Sequence, residues 1–370
     1  MVEIEYIPAT MPGCPSMYGD KHRTITLPTG NKKLSWWEKD SFYNYPTLLL
    51  SAFYGLPFGD LREDFGIGKE VLLMADSGGF QQLTQKTYLN PIKVLEWQEL
   101  VCDIGFIFDH PVMPTDYNEV VEHKQKRTVE NAQLALKNRS KESKMKLYGV
   151  LQGHKYEEKI NMMKMYNGIL NQFDGFAAGG FGVLSSNLPE LTKSLTMSFK
   201  VFQDYQKPIH MFGLSGERAM IILTYLSKVY NKNVTYDSSS YSSGSHYMEY
   251  EMSNRNMTLS FGRENRNTTI DRLPCTCPVC SVVKTLDDKP SNQKGSILAL
   301  HNLYHTLDYA YFLNCLKEDK NKFIEFAGKI NNDLLPLFEF IDLSVIDMEQ
   351  ALKKYSHLFK KQNEQCIINF

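Results

Sequence analysis

The stretch VLLMADSGGF, residues 71–80, places a short apolar run directly before a polar, glycine-rich turn. The same order, followed each time by an amphipathic helical pattern, recurs along the chain. Six candidate strands fit it: Val71–Ala75, Ile104–Phe108, Leu147–Leu151, Gly175–Ala178, Ile209–Phe212 and Val234–Tyr236. The helical patterns between them are Val94–Val101, Asn118–Leu136, Tyr156–Leu170, Leu191–Tyr205 and Gly216–Tyr230. Strands that alternate with crossover helices are typical of parallel βα units, so the chain is predicted to be an α/β protein.

Residues capable of chemistry fall just past the C-terminal ends of these strands. They are Asp76, Asp109, Gln152, the Gly179–Gly180 pair and Asp237. Any one of them is also a common turn residue. Five in the same position favour a (β/α)8 TIM barrel, because that fold builds its active site at the C-terminal ends of its strands.

Length and composition fit one large barrel with additions. The chain has 370 residues, of which 42% are hydrophobic and 22% charged, which excludes disordered and fibrous classes. We expect a single catalytic barrel domain over residues 1–370, with an excursion at 238–305 and C-terminal helices at 306–370. No secretory start and no long uncharged apolar stretch occurs, which predicts a cytoplasmic protein without a membrane partner. The net charge of −1 neither requires nor excludes a nucleic-acid partner.

The cysteines indicate a metal site. Three of the seven lie in Cys275-Thr-Cys277-Pro-Val-Cys280, and His301 follows at the start of a helical stretch. Three thiolates and one imidazole complete a closed tetrahedral zinc site, which contributes folding energy because no coordination position stays open. His305 lies one helical turn further on and is the competing fourth ligand. We predict structural Zn²⁺, with His301 preferred.

Six strings together resemble the guanine transglycosylase family, the tRNA-guanine transglycosylases and their relatives. The strings are Asp76-Ser77-Gly78-Gly79-Phe80-Gln81, Val150-Leu151-Gln152-Gly153, Asp174-Gly175-Phe176-Ala177-Ala178-Gly179-Gly180, Met211-Phe212-Gly213, Tyr236-Asp237-Ser238, and the Cys275 cluster leading to His301-Asn302. They occur in the family's order and cover about residues 70–310. The first seventy residues differ from the family's usual opening strand and hairpin.

The resemblance implies a (β/α)8 barrel with a zinc-bearing insertion, and it implies roles for individual residues. Asp237 resembles the nucleophile and Asp76 the general acid/base. The edge of the bound purine is expected to meet Asp109, Gln152 and the Gly179–Gly180 backbone. Its two faces are expected to meet Phe80 and Phe212, with Ser77 adding a hydrogen bond. His110, beside Asp109, is interpreted as a supporting residue.

These residue types suit base exchange. A carboxylate that attacks C1′ of a nucleotide forms a covalent intermediate, and a second carboxylate protonates the leaving base and deprotonates the incoming one. The nucleotide must be flipped out of any duplex to be reached, at a cost of a few kcal/mol. Stacking on aromatic side chains recovers part of that cost.

The chain is most similar to the branch that inserts 7-deazaguanines, such as 7-cyano-7-deazaguanine, into DNA in phages and bacterial DNA-modification clusters. The arginine-bearing loop of bacterial members and the RNA-binding domain of archaeal members were not found in the sequence. We therefore expect DNA as the nucleic-acid partner, in the host cytoplasm if the protein is phage-encoded, and a possible homodimer. Candidate phosphate contacts are Arg255, Arg263 and Arg266, and a basic run of Lys137, Arg139, Lys141, Lys144 and Lys146 that is equally well explained as a solvated helix end.

Three alternatives compete with this hypothesis. The nearest is a tRNA-guanine transglycosylase of the queuosine or archaeosine pathway. The second is a non-catalytic partner subunit, against which the retention of both Asp76 and Asp237 argues. The third is a sugar-cleaving barrel hydrolase, which needs neither a purine-binding set nor a zinc site.

Overall fold

The structure is a computed structural model that describes residues 3–10, 23–246, 249–252, 257–260, 273, 275–286 and 291–359. Its strands are β1 Ile4–Thr10, β2 Thr24–Leu27, β3 Gly30–Lys33, β4 Thr47–Ser51, β5 Leu72–Asp76, β6 Ile104–Phe106, β7 Lys146–Leu151, β8 Gly175–Ala178, β9 Ile209–Met211, β10 Val234–Ser238, β11 Glu249–Met252 and β12 Met257–Ser260. Its helices are α1 Ala52–Gly55, α2 Leu61–Asp64, α3 Gly79–Gln85, α4 Pro91–Val101, α5 Asn118–Asn138, α6 Tyr156–Met165, α7 Leu188–Val201, α8 Glu217–Val229, α9 Ser240–His246, α10 Cys280–Val283, α11 Ser291–Leu316, α12 Lys320–Ile330, α13 Leu334–Ile346 and α14 Met348–Lys354.

Eight parallel strands form a closed barrel in the order β1-β10-β9-β8-β7-β6-β5-β4. The ring closes where Ala9 and Thr10 of β1 pair with Leu49 and Leu50 of β4. Helices α3 to α8 follow β5 to β9 in turn. The prediction of a (β/α)8 TIM barrel is therefore confirmed, and all the carboxyl ends of the strands lie at one mouth.

The barrel strands are nearly continuous apolar runs because both of their faces are buried. All five residues of β4 and all four of β8 are buried. Burial of a single leucine such as Leu48 or Leu50 contributes about 1.5–3 kcal/mol. The hydrophobic effect on this ring of strands therefore fixes the geometry of the mouth.

The six expected strands are present, with ends shifted by at most two residues from those predicted. The helical patterns match α4 to α8, although α6 ends at Met165 and α7 at Val201, earlier than predicted. The sequence did not reveal β1 and β4, which complete the ring. Between them, Trp36 and Trp37 are fully buried and pack edge to face with ring centroids 4.8 Å apart.

Beyond β10 the chain adds elements to the barrel. Hairpin β11–β12 and helices α9 to α11 belong to the excursion, and α12 to α14 are the predicted C-terminal helices. Tyr225 of α8 stacks on Phe338 of α13 at 4.0 Å and donates a hydrogen bond to Asp342. Within the described ranges, no helix has the length and apolarity that crossing a bilayer would take. The single-domain assignment of residues 1–370 stays a prediction.

Candidate active site and metal cluster

The mouth of the barrel holds a cavity of about 690 Å³, within the range of small-ligand sites. Eight of the nine residues predicted for catalysis or base binding line it: Asp76, Phe80, Asp109, Gln152, Gly179, Gly180, Phe212 and Asp237. They come from the ends of β5 to β10. Parallel strands with a common direction explain why residues up to 161 positions apart in sequence meet here.

Asp109 is held on both carboxylate oxygens. Ser77 donates to its Oδ1 at 2.7 Å, and the Gln152 amide Nε2 donates to its Oδ2 at 2.5 Å. The Gln152 Oε1 in turn accepts from the backbone N–H of Val112 at 3.2 Å. Burial raises the pKa of Asp109 above its ordinary value, and the two donors partly oppose that rise. The carboxylate is therefore fixed in orientation at the wall of the cavity.

Ser77 does not line the cavity. It is fully buried, and its hydroxyl points to Asp109. The predicted hydrogen bond from Ser77 to a base stays a prediction, and the contact that the structure shows for its hydroxyl is with Asp109.

Asp76 ends β5, and its acidity is strongly altered. Burial, together with the negative charges of Asp109 and Asp237, raises its pKa to about 7. The backbone N–H of Gly78, at 3.3 Å, and the hydroxyl of Ser51 act in the opposite direction. A carboxyl group with a pKa near neutrality can both give and take a proton under ordinary conditions.

Asp237 lies in β10, buried apart from its contact with the cavity. Its Oδ1 accepts two hydrogen bonds, from the backbone N–H of Gly213 at 3.1 Å and from His210 Nε2 at 3.1 Å. His210 was not identified from the sequence. The only signal was a histidine inside the otherwise apolar run of β9, which is more often a buried structural residue than part of a site.

Aromatic side chains border the same space. Phe80 is the second residue of α3 and is 42% exposed. Phe212 follows β9, and its ring packs against that of Phe106 with centroids 4.7 Å apart. Close packing behind Phe80 depends on Gly79, because a Cβ atom there would lie 2.4 Å from the backbone oxygen of Asp109. The turn after β5 thus brings Asp76 and Asp109 together.

The cysteine cluster lies in the excursion. Ligand atoms of Cys275, Cys277, His301 and His305 all lie within 4.8 Å of one another. The Sγ of Cys280 is 3.2 Å from His301 Nδ1 and 3.1 Å from the Tyr250 hydroxyl. Three thiols and two imidazoles are thus within reach of one centre, and soft thiolates with imidazole suit Zn²⁺.

The geometry differs from the predicted ligand set in one respect. His305, the competing ligand, has its Nε2 at 3.2 Å from Cys275 Sγ and is one of the four residues whose ligand atoms lie within 4.8 Å of one another. Cys280 is not one of these four. Tyr250 stacks on the His301 ring with centroids 3.7 Å apart. The residues present therefore fit a zinc ion, with five candidates for four positions.

Two supporting predictions do not fit the site. The basic run spans the end of α5 and the start of β7, at the opposite end of the barrel from the cavity, and Arg139 pairs there with Asp174 at 3.4 Å. Its interpretation as a phosphate contact stays a prediction, and its position at the N-terminal ends of the strands favours the alternative of a solvated helix end. Arg255, Arg263 and Arg266 lie outside the described residues.

His110 also differs from its expected role. Its Nε2 lies 3.3 Å from the Asn131 amide, and its ring lines a neighbouring cavity of about 340 Å³. Burial lowers its pKa, as do nearby positive charges. Support for Asp109 comes from Ser77 and Gln152.

Fold and site together define a class: a parallel (β/α)8 barrel with three carboxyl groups facing a cavity and a Cys/His cluster beyond the last barrel strand. The family model described as Queuine tRNA-ribosyltransferase matches residues 59–314. The chain belongs to this family, as the motifs from Asp76 to His301 predicted.

Curated relatives agree. The chain is similar to the tRNA-guanine(15) transglycosylase of Methanococcus aeolicus, with 27% identity over 252 residues, 65% of this chain and 36% of the relative. It is 27% identical over 270 residues to the protein of the same name from Sulfolobus acidocaldarius, covering 70% of this chain and 51% of the relative. The protein of that name from Methanocaldococcus jannaschii is 24% identical over 248 residues. The chain thus spans about a third to a half of the length of these relatives.

Proposed function

We propose that this protein is a guanine transglycosylase, a pentosyltransferase that exchanges a guanine base in a nucleic acid for a 7-deazaguanine. The observation that carries the proposal is the placement of Asp76 and Asp237 on one cavity together with the fixed carboxylate of Asp109. Family membership supports the same activity.

In the proposed reaction, Asp237 is the nucleophile and Asp76 the general acid/base. A carboxylate oxygen of Asp237 donates an electron pair to C1′, the C1′–N9 bond breaks, and its pair passes to guanine, which takes the proton of Asp76. The incoming base then gives its N9 proton to the Asp76 carboxylate, and its nitrogen forms the new bond to C1′. The electron pair of the ester bond returns to Asp237. Two displacements of this kind resemble those of retaining glycosidases.

Selection of a guanine-like base is assigned to Asp109, Gln152 and the Gly179–Gly180 backbone. The Asp109 carboxylate can accept from N1–H and the exocyclic amine of such a base, whereas Gln152 and the Gly179–Gly180 backbone offer donors to O6. Phe80 and Phe212 supply apolar faces for the ring, and stacking of this kind is worth about 1–3 kcal/mol per base. The acceptor group on Asp109 is the feature that disfavours adenine.

For the nucleic acid, we propose tRNA. The relatives are named tRNA-guanine(15) transglycosylases, which favours the tRNA alternative over the DNA substrate expected from the sequence. DNA is a defined outcome of the test below.

A structural zinc ion is proposed for the Cys/His cluster. Cys275, Cys277, Cys280 and His301 are the proposed ligands, and His305 is the alternative supported by its distance to Cys275. When bound, the ion would link the Cys275–Cys280 segment to α11 and add folding energy. A homodimer and a cytoplasmic location stay predictions.

The decisive experiment supplies radiolabelled guanine to purified protein with unmodified tRNA and, separately, with duplex DNA. Retention of label in the polymer measures exchange. Asp237→Asn removes the nucleophile at nearly constant volume, and Asp204→Asn, at an exposed position between α7 and β9, is the matched control.

We expect label in tRNA with the wild-type protein and with Asp204→Asn, and none with Asp237→Asn. Label in DNA alone would restore the substrate expected from the sequence while keeping the reaction. Label in neither polymer, with the fold and metal intact, would contradict the transglycosylase proposal and favour a non-catalytic partner subunit.

A further inference from the structure

We propose that His210 is a positioning residue that selects which oxygen of Asp237 attacks the sugar and stabilises that carboxylate when it is released. This inference rests on the proposed transglycosylase function. It concerns a residue outside the motifs that carry the resemblance.

The hydrogen bonds of His210 define its tautomer. An ionised carboxylate only accepts, so the 3.1 Å contact with Asp237 Oδ1 requires a hydrogen on His210 Nε2. In a neutral imidazole Nδ1 is then the acceptor, and the Thr235 hydroxyl, 2.8 Å from it, is the donor. Both ring nitrogens are thus used by a neutral imidazole, with the proton facing the carboxylate.

The surroundings make this arrangement rigid. The His210 side chain is fully buried, and its ring packs against Phe106 and Phe212 with centroids 5.1 and 4.7 Å away. His210 pairs with Thr235 in the β9–β10 register, so both partners of the imidazole lie on the adjacent strand. A hydrogen bond in such a setting fixes the direction of the Asp237 side chain.

Both donors reach the same atom of Asp237. The backbone N–H of Gly213 and Nε2–H of His210 converge on Oδ1, while Asp237 lines the cavity. Oδ2 is therefore the oxygen that attacks C1′. After attack, Oδ1 is the carbonyl oxygen of the ester, a weaker hydrogen-bond acceptor than the free carboxylate.

The donors consequently act most strongly in the second displacement. As the incoming base bonds to C1′ and the Oδ2–C1′ pair returns to Asp237, negative charge redevelops on both oxygens. His210 Nε2–H and Gly213 N–H are already aimed at Oδ1 and stabilise that charge without reorganisation, as preorganised donors do at an oxyanion. Loss of His210 should thus both slow exchange and favour the covalent ester over the free carboxylate.

The test compares wild-type protein with His210→Ala, His210→Gln and the control His123→Gln, a histidine on the exposed surface of α5. Exchange of radiolabelled guanine into tRNA gives kcat and KM, and denaturing electrophoresis after mixing with tRNA gives the fraction of protein covalently linked to it. Circular dichroism checks that the variants are folded.

For His210→Ala we expect kcat to fall about 10²-fold with KM for tRNA unchanged within about threefold, and the covalent fraction to rise. His210→Gln, whose amide can donate from nearly the same place, should recover at least about tenfold of the lost rate. His123→Gln should match wild type. An exchange rate in His210→Ala within about threefold of wild type, or a covalent fraction that falls, would overturn the proposal.

A second measurement does not depend on turnover. Nitrogen-15 labelling of histidine reports the tautomer of His210, and we expect the form protonated at Nε2, altered in Asp237→Asn. The form protonated at Nδ1 would overturn the positioning role even in an active enzyme. Absence of exchange and of covalent product in wild-type protein would instead refute the transglycosylase function, and the positioning role with it.

Discussion

The acidic cavity at the barrel mouth and the Cys/His cluster beyond β10 both gather ionisable side chains, but they treat charge in opposite ways. Asp76, Asp109 and Asp237 share a cavity of about 690 Å³, and burial together with the charges of the other two carboxylates raises the pKa of Asp76 to about 7. In the cluster, thiol and imidazole atoms face one another within 4.8 Å, an arrangement that a cation completes. The cavity brings like charges together, which makes ionisation of Asp76 costly, whereas the cluster brings together ligand atoms whose repulsion a bound cation would remove.

The largest effect is expected from removal of the proposed nucleophile in the cavity. Asp237→Asn keeps the shape of the cavity but cannot form the ester, so exchange should fall by about 10⁴-fold or more, as for other nucleophile deletions. Steady-state exchange of labelled guanine measures it, and the melting temperature serves as control. A variant with a tenth of the wild-type rate would exclude Asp237 as nucleophile.

The next largest effect is expected from a change at Asp109, the proposed base-binding carboxylate. Asp109→Asn replaces an acceptor by an amide that presents a donor to the purine, and it disturbs the contacts with Ser77 and Gln152. We expect kcat/KM for guanine to fall about 10²- to 10³-fold, equivalent to about 3–4 kcal/mol. A change confined to kcat would contradict a role in binding the base.

Metal removal should affect the Cys/His cluster first. Zinc content by atomic emission should be close to one ion per chain, and Cys277→Ser should abolish binding and lower the melting temperature by about 5 °C or more. His301→Ala and His305→Ala, measured side by side, identify the imidazole ligand, because only loss of the true ligand should release the ion. Full zinc retention by all three variants would place the site elsewhere.

The pH dependence of the rate tests the protonation state of Asp76 in the cavity. Asp76 must carry a proton to release guanine, and its raised pKa of about 7 means that this form is lost as pH increases through 7. The rate of covalent product formation should fall up to tenfold per pH unit above about pH 7. Rapid mixing with tRNA at pH 6 to 9 measures it, and a flat profile would contradict the assignment of Asp76 as the acid.

The smallest effect concerns stability. A carboxyl group whose pKa is higher in the folded than in the unfolded protein destabilises the fold at pH values above its unfolded pKa of about 4. The loss of stability is complete once the pH exceeds the folded-state pKa. Asp76→Asn should therefore raise the free energy of unfolding at pH 8 by about 1–2 kcal/mol while abolishing exchange. Urea unfolding at pH 8 and pH 4 checks this, because the gain should disappear at the lower pH.

The same contrast explains what the sequence could and could not predict. The sequence pattern predicts a strand directly before each of Asp76, Asp109 and Asp237. The position of these carboxyl groups at strand ends was therefore predictable without any contact information. His210 lies inside such a run, where the pattern gives no reason to distinguish a buried structural histidine from one bonded to Asp237. The choice between His301 and His305 also depends on side-chain direction along α11, which spacing alone does not determine.

The missing strands have a similar cause. β4 is only five residues long and directly follows Pro46, and β1 at Ile4–Thr10 is followed by no helical pattern. Neither shows the strand and helix order on which the prediction relied. Only the pairing of β1 with β10 and β4, and of β4 with β5, identifies them as barrel strands.

The pairing of β1 with β10 has a consequence for biosynthesis. Ile4 to Pro8 of β1 pair with Val234 to Ser238 of β10, about 230 positions later, so the first strand lacks that partner until most of the barrel has left the ribosome. Pairings of such long sequence separation slow folding, and an unpaired apolar strand is a template for aggregation in the interval. We therefore expect the yield of soluble protein to depend on chaperone capacity during synthesis more than on the stability of the finished barrel.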